Sequence, residues 1–407
     1  MENQKIDFYN SKESFENQST KIDNWCKTEA NKKLINKFLM WAQARDLSYV
    51  RRKKYLLFLK HMVNWLDKDL DKVTKDDLVY LVGKINSYGF GTETKKNFKV
   101  AIKKVYDVTL YDEKKELIDW MYDRRNDLFK SNKGESIRKE KTKLAKEELS
   151  MMIKYADVRM KAFILTTFEG CCRPGEILAC RISDLEPTEN GFKLMIPQSK
   201  TKSRSVLLFE SSSYLRDWLS QHPNNKPDSF LFCTYAINNK GGIWSPYGSL
   251  KQLRIVAKKA GITKRITNYT LRASGFTYKS SVKRISNSSM ELIMGWSKGA
   301  FSSRARDYDL NTEEDAHNEL NRIYGKETET KSLDLSFKTC VKCKEENSFA
   351  EEYCRKCATP LDSEVLAKIH MKQIMYEKLW DKMIDAVDFS KLAKKDIDRE
   401  MMSILKS

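Results

Sequence analysis

Residues 170–178 read Gly-Cys-Cys-Arg-Pro-Gly-Glu-Ile-Leu. This places an arginine, Arg173, at a helix start, with the Glu176 carboxylate three residues on. Upstream, Lys146 to Ala156 has helical character, and an apolar run from Met160 to Gly170 leads into the turn. Downstream of Pro187, two short β-rich runs, GFKLMIP and RSVLLF, are joined by QSKTKS and predict a hairpin with Lys200 at its tip. SFLFCT (229–234) predicts a further strand. Helical periods return from Ser249 to Gly325, and that stretch carries Tyr269-Thr270-Leu271-Arg272, Gly295-Trp296 and Tyr308.

Towards the N-terminus the pattern is helical throughout. Residues 1–24 are polar and are expected to form a loose arm. Leu34, Ile35, Phe38, Leu39 and Ala42 recur at the spacing of one buried helix face, and a second helix starts near Ser48. Thr74 precedes Asp77 by three residues at the start of a third, and SYGFGT separates that helix from a fourth over Thr94 to Tyr106. The expected unit, residues 25–128, is all-α. Arg51, Arg52, Lys53 and Lys54 cluster at the start of its second helix, and Lys95, Lys96 and Lys99 on its fourth. Either cluster alone reads as a solvated face; together, in a strongly basic chain, they point to phosphate contact.

Composition agrees. The 407 residues carry 75 Lys plus Arg against 56 Asp plus Glu, a formal net charge of +19, which fits a polyanionic partner. Hydrophobic residues make up 41%, enough for packed cores, and seven prolines in all favour long helices over an all-β chain. No run is long and apolar enough for a membrane span, and the opening residues lack a secretory apolar segment, so a soluble cytoplasmic, nucleoid-associated protein is expected.

The ordered set Arg173, Lys200, Tyr269-x-x-Arg272, Trp296 and Tyr308 resembles the tyrosine recombinase (phage integrase) family, with most similarity to archaeal site-specific integrases that carry a zinc ribbon. The resemblance runs over roughly residues 30–362. It implies a mainly α (α+β) chain: a helical SAM-like core-binding domain that clamps DNA, a basic linker over 129–145, and a catalytic domain with a small β-sheet over 146–326. It also implies roles. Arg173 and Arg272 would grip the scissile phosphate by bidentate hydrogen bonds, with Glu176, one turn on along the same helix, orienting Arg173 rather than carrying a proton. Lys200 would deliver a proton to the departing 5′-oxygen, with Lys202 as a neighbour able to take that part. Trp296 would give its indole N–H to a phosphate oxygen, and Tyr308 would be the nucleophile. Taken singly, Arg173 reads as a surface arginine at a helix N-terminus, Arg272 as a salt-bridge partner and Trp296 as core. Tyr308 sits in the polar stretch SSRARDYDLNTEEDA with no apolar face to serve, whereas Tyr324 reads as a packing residue. Two features depart from the family: Tyr269 replaces a histidine and is a poor base at neutral pH, and the Trp296–Tyr308 spacing is longer by an inserted residue or two.

Cys340-x-x-Cys343 and Cys354-x-x-Cys357 are two knuckles able to hold one structural Zn²⁺ in a ribbon over 336–362; a redox pair would need only one of them. Residues 363–407 place apolar residues at helical spacing and are expected to form an amphipathic helix packed on another protomer or on the chain's own catalytic domain. The expectation is a site-specific recombinase that cuts and rejoins double-stranded DNA without a catalytic cofactor, as a homotetramer, for integration or excision of a mobile element. The alternatives are a catalytically impaired DNA-binding regulator of the same fold, favoured by Tyr269, and a type IB topoisomerase.

Overall fold

The computed structural model describes residues 6–129, 143–197, 203–326 and 337–386. Lys200 and Lys202 therefore lie outside the described residues, as do most of the linker and the tail from 387 onward. The first domain contains α1 (Ser11–Ser19), α2 (Ile22–Trp25), α3 (Glu29–Ala44), α4 (Tyr49–Leu66), α5 (Lys75–Ser87), α6 (Thr92–Thr109) and α7 (Lys115–Tyr122). Leu34, Ile35 and Phe38 meet Leu59, Met62, Leu81, Phe98 and Ile102 in one buried cluster, the core that the helical spacing predicts. At the start of α5 the Asp77 carboxylate accepts the Thr74 amide at 2.9 Å while the Thr74 hydroxyl accepts the Asp77 amide, closing both ends of a capping box.

The stretch expected as a loose arm is helical from Ser11. The Asp7 carboxylate accepts the amides of Tyr9 and Lys12, which satisfies donors at the start of α1. Phe15 packs on the first core, with its ring 5.9 Å from that of Tyr49. One capping acid, one ring and the Ser14 hydroxyl, which accepts from Lys53, anchor this helix, too little to show as periodicity.

The second domain runs through α8 (Lys146–Tyr155), α9 (Val158–Glu169), α10 (Pro174–Ile177), β1 (Leu185–Thr188), β2 (Gly191–Ile196), β3 (Arg204–Leu208), α11 (Ser212–Ser220), α12 (Pro246–Lys259), α13 (Asn268–Thr277), α14 (Asn287–Met294), α15 (Phe301–Ala305) and α16 (Glu313–Ile323). The strands form one antiparallel sheet in the order β1-β2-β3, with Leu194 opposite Val206 and Ile196 opposite Arg204. Alternation along β3 turns Arg204, Val206 and Leu208 inward, so a cation shares the buried face with two hydrophobes. Glu169, at the end of α9, accepts the amides of Phe209, Glu210 and Ser211 and so ties down the exit of β3. The strand expected over 229–234 is instead an extended segment with isolated bridges at Phe230 and Cys233. Leu231, Phe232 and Cys233 are all fully buried, so the segment serves the core on both faces rather than a ladder on one.

Helices α9 and α13 cross so closely that a Cβ on Gly275 would fall inside the van der Waals shell of the Phe168 carbonyl. That approach brings Arg272 over the turn that holds Arg173. Beyond the second domain, β4 (Lys338–Thr339) pairs with β5 (Glu346–Asn347), and α17 (Ser363–Ala386) follows. Leu366, Met371, Ile374, Met375, Tyr376, Leu379 and Trp380 of α17 are exposed, so along this length the helix does not bury its apolar residues on the second domain, one of the two packings expected for it. No helix among the described residues is long and apolar enough to cross a membrane.

Gly275→Ala is expected to destabilise the second domain by about 1–3 kcal/mol through overpacking against α9, read by urea unfolding.

Candidate active site and metal centre

A single carboxylate organises the site. Glu176 is buried at the first turn of α10, where one oxygen accepts the Arg173 amide at 2.8 Å and the other the Arg173 guanidinium at 2.7 Å. Arg204 donates to Glu176 Oε2 at 2.9 Å, and Arg272 Nη1 stands 3.8 Å from the same oxygen. Burial works against the charged carboxyl. The hydrogen bond and charge of Arg204, with the amide and charge of Arg173, outweigh it and hold the group down to about 2.

Carbonyl groups fix the arginines from the other side. Arg272 is fully buried and donates to the carbonyls of Cys171 and, at 3.1 Å, Met294. Arg204 Nε donates to the Ile293 carbonyl at 2.7 Å. The two carbonyls from α14 are free because Gly295, in the left-handed region at φ 67°, ends that helix. Cys171 is also left-handed, at φ 47°, in the turn that presents its carbonyl.

Tyr308 lies directly against this cluster. Its ring centroid is 5.0 Å from the Arg272 guanidinium, 5.2 Å from the stacked ring of Tyr269 and 5.5 Å from Trp296. Burial raises the cost of a phenolate at Tyr308. The charge of Arg272 and hydrogen bonds from Tyr269 and Arg272 more than offset it, so this hydroxyl titrates below an ordinary tyrosine. Tyr269 moves the opposite way, raised by burial first and then by the neighbouring Tyr308, and its hydroxyl donates to the Asp307 carbonyl at 3.5 Å. Trp296 and Phe276 wall the tyrosine, their rings 5.6 Å apart.

The expected contrast between the two tyrosines is reversed. Tyr308 is 8% exposed, in a small cluster with Phe276, Met290 and Met294, while Tyr324 is 76% exposed. Tyr308 has no apolar helical face because it enters the cluster from the turn after α15, held where Thr277 Oγ1 donates to its carbonyl at 3.3 Å. The longer spacing from Trp296 is folded into a loop whose Gly299 and Phe301 amides are accepted by Glu291.

Arg204 is the residue that sequence reasoning missed. It stands 28 positions from Glu176 and looks like one more cation of the hairpin. Its only signal is its place in the inward alternation with Val206 and Leu208. Of the basic residues expected on the first domain, Arg51 and Lys96 are exposed. Arg52 and Lys99 are buried, Arg52 donating to the Leu47 carbonyl at 2.6 Å. Lys53 reaches Ser14 Oγ, Lys54 lies over the Phe58 ring, and Lys95 donates to the Asn86 carbonyl.

The four C-terminal cysteines converge. The sulfurs of Cys340, Cys343, Cys354 and Cys357 all lie within 4.8 Å of one another. Each knuckle ends in a left-handed residue, Lys344 or Ala358, whose amide returns to the carbonyl of the first cysteine of its pair. Two matched turns presenting four thiols suit a tetrahedral ion with a taste for sulfur. This ribbon is docked on the second domain. Phe349 is buried in that domain's main core, Arg355 pairs with Asp217 of α11 at 2.9 Å, and Lys154 of α8 pairs with Glu352 at 2.8 Å.

Residues 142–302 match the model of the phage integrase family. That stretch of the second domain therefore matches the tyrosine recombinases, and most of the chain shares their fold. Among solved structures, the XerH site-specific recombinase bound to palindromic difH substrate matches with a TM-score of 0.56 at 18% identity, over 80% of this chain and 91% of that one. A lambda integrase dimer on a COC′ core site matches with a TM-score of 0.51 at 12% identity, over 69% and 79%. The Tn1549 transposon integrase with a circular intermediate DNA matches with a TM-score of 0.51 at 15% identity, over 71% and 99%. Identities this low speak for the fold alone. No curated protein matches the sequence.

Metal analysis of the purified chain is expected to find one ion per molecule. Cys354→Ser should lose it and, because Phe349 sits in the core of the second domain, lower the melting temperature by at least about 5 °C.

Proposed function

We propose that this protein is a site-specific DNA recombinase that cuts and rejoins strands through a 3′-phosphotyrosyl intermediate. The observation that carries the reading is a phenol, Tyr308, held below its ordinary pKa against a fully buried arginine that shares Glu176 with Arg173. A guanidinium cluster of this kind fits a phosphodiester, whose charge grows as phosphorus becomes five-coordinate. In the proposed step the Tyr308 oxygen attacks the scissile phosphorus, the bond to the 5′-oxygen breaks, and the leaving oxygen takes a proton from Lys200. Arg173 and Arg272 hold the non-bridging oxygens, and Trp296 adds an indole N–H. Reversal by a 5′-hydroxyl from a partner strand reseals the DNA and returns the tyrosine.

Tyr269 supports the attack as a hydrogen-bond donor to the forming phenolate, not as the base that removes its proton. Recognition falls to the exposed cations of the first domain, including Arg51 and Lys96, closing over double-stranded DNA opposite the catalytic domain. Integration or excision of a mobile element by a homotetramer fits this chemistry. The four thiolates would hold one Zn²⁺ that folds the ribbon and takes no part in the reaction.

Covalent trapping tests the reading. Incubation with fragmented DNA from the source genome, followed by denaturation, is expected to leave DNA attached to the wild type and none to Tyr308→Phe. The adducts should map to one short sequence. Scattered adducts would favour a topoisomerase, and tight binding without an adduct would favour a regulator.

The pH profile tests Tyr269 separately. Because the nucleophile acts ionised, cleavage should rise with pH until Tyr308 has titrated, below the range of a free tyrosine. Tyr269→Phe removes the donor, so the rise should shift to higher pH, with a loss of about tenfold at neutral pH.

A further inference from the structure

We infer that residues 6–19 form an internal guard that occupies the DNA path and must be displaced when DNA binds; this rests on the recombinase reading above. The segment touches both halves of the clamp at the places assigned to DNA. On the first domain, α1 packs along α4, with Lys53 donating to Ser14 Oγ at 2.6 Å and Phe15 against Tyr49. This is the start of α4, where the Arg51–Lys54 cluster lies. On the second domain, Phe8 packs against the main core, and its ring edge lies 3.8 Å from where a Cβ on Gly175 would stand. Gly175 sits between Arg173 and Glu176, on the turn that carries the arginine.

Seven residues thus reach from the basic helix to the arginine turn. A duplex gripped between the two domains makes its phosphate contacts from these same surfaces. The charge of the segment suits a stand-in for the polyanion: Asp7, Glu13 and Glu16 against Lys12 make it net acidic in a chain of net charge +19. Its attachment is also divided. Asn10, left-handed at φ 46°, separates the ring docked on the catalytic side from the helix docked on the clamp side. The catalytic-side anchor is one half-buried ring, so it releases without unfolding either domain.

A chain that spends most of its time guarded binds DNA more weakly than its open form, in proportion to the open fraction. The test compares the full chain with Phe8→Ala and with a deletion of residues 1–9, on a random-sequence fluorescent duplex at fixed salt, with melting temperatures confirming the fold. Both variants are expected to bind about tenfold more tightly than wild type. Hydrogen exchange at residues 6–19 of the wild type should quicken when duplex is added. Affinity unchanged or weakened in both variants, or exchange that slows on DNA addition, overturns the guard. If the wild type and both variants all fail to bind DNA, the recombinase reading falls and the guard with it; if all bind equally, only the guard falls.

Discussion

The buried Glu176 carboxylate is what allows three guanidinium groups to share one small volume. Arg173 comes from the turn before α10, Arg204 from the first residue of β3 and Arg272 from α13. Brought together without an anion, they would repel one another in a poorly hydrated setting, and each would bear its own desolvation cost. Glu176 offsets that cost only because it is itself fully engaged, with its oxygens meeting donors from Arg173 and Arg204. The end of α14 completes the arrangement. Its last carbonyls accept Arg204 and Arg272, and they lie at the helix pole that carries partial negative charge. Gly295 is what stops the helix there, which gives the glycine of the Gly-Trp pair a physical role distinct from that of the tryptophan.

How far this could be read from the sequence depended on distance along the chain. Arg173 and Glu176 are one helical turn apart, so their pairing is a local property and was legible. The hairpin was legible because its two runs are β-rich and contiguous, and the four cysteines because each knuckle is short. Arg204 was not legible, since its partner is far away and its neighbours are lysines of similar charge. Glu169 and Glu291 were missed for the same reason: each caps backbone amides in another segment, and nothing local marks an acid that will be buried. The docking of the ribbon depends on Phe349, a single aromatic in a polar stretch, which carries no period at all.

The burial of Tyr308 shows a different failure. A polar neighbourhood in sequence predicts no packing role for the tyrosine, whereas a turn can insert one ring into a cluster while its neighbours stay in solvent. The ring is held by Phe276, Trp296 and Tyr269 at the edge of the arginine cluster, so its setting is apolar on one side and cationic on the other. That combination moves a phenol downward only because the cation is close and cannot move away; an apolar pocket alone would raise it.

Charge balance then relates the cluster to the chemistry proposed for it. Three guanidinium groups against one carboxylate leave two positive charges around Tyr308. A phosphodiester brings one negative charge in its ground state, and a second develops as a phenolate adds to phosphorus. A positive surplus that is already in place before the second charge develops favours the five-coordinate state over the ground state, which is what the proposed catalysis requires beyond mere affinity. Tyr269 belongs in this account. A protonated histidine there would add a further cation, whereas a phenol supplies a donor without charge, so in the proposed reaction stabilisation of the phenolate at Tyr308 would rest on Arg272 and on the Glu176 network that fixes it.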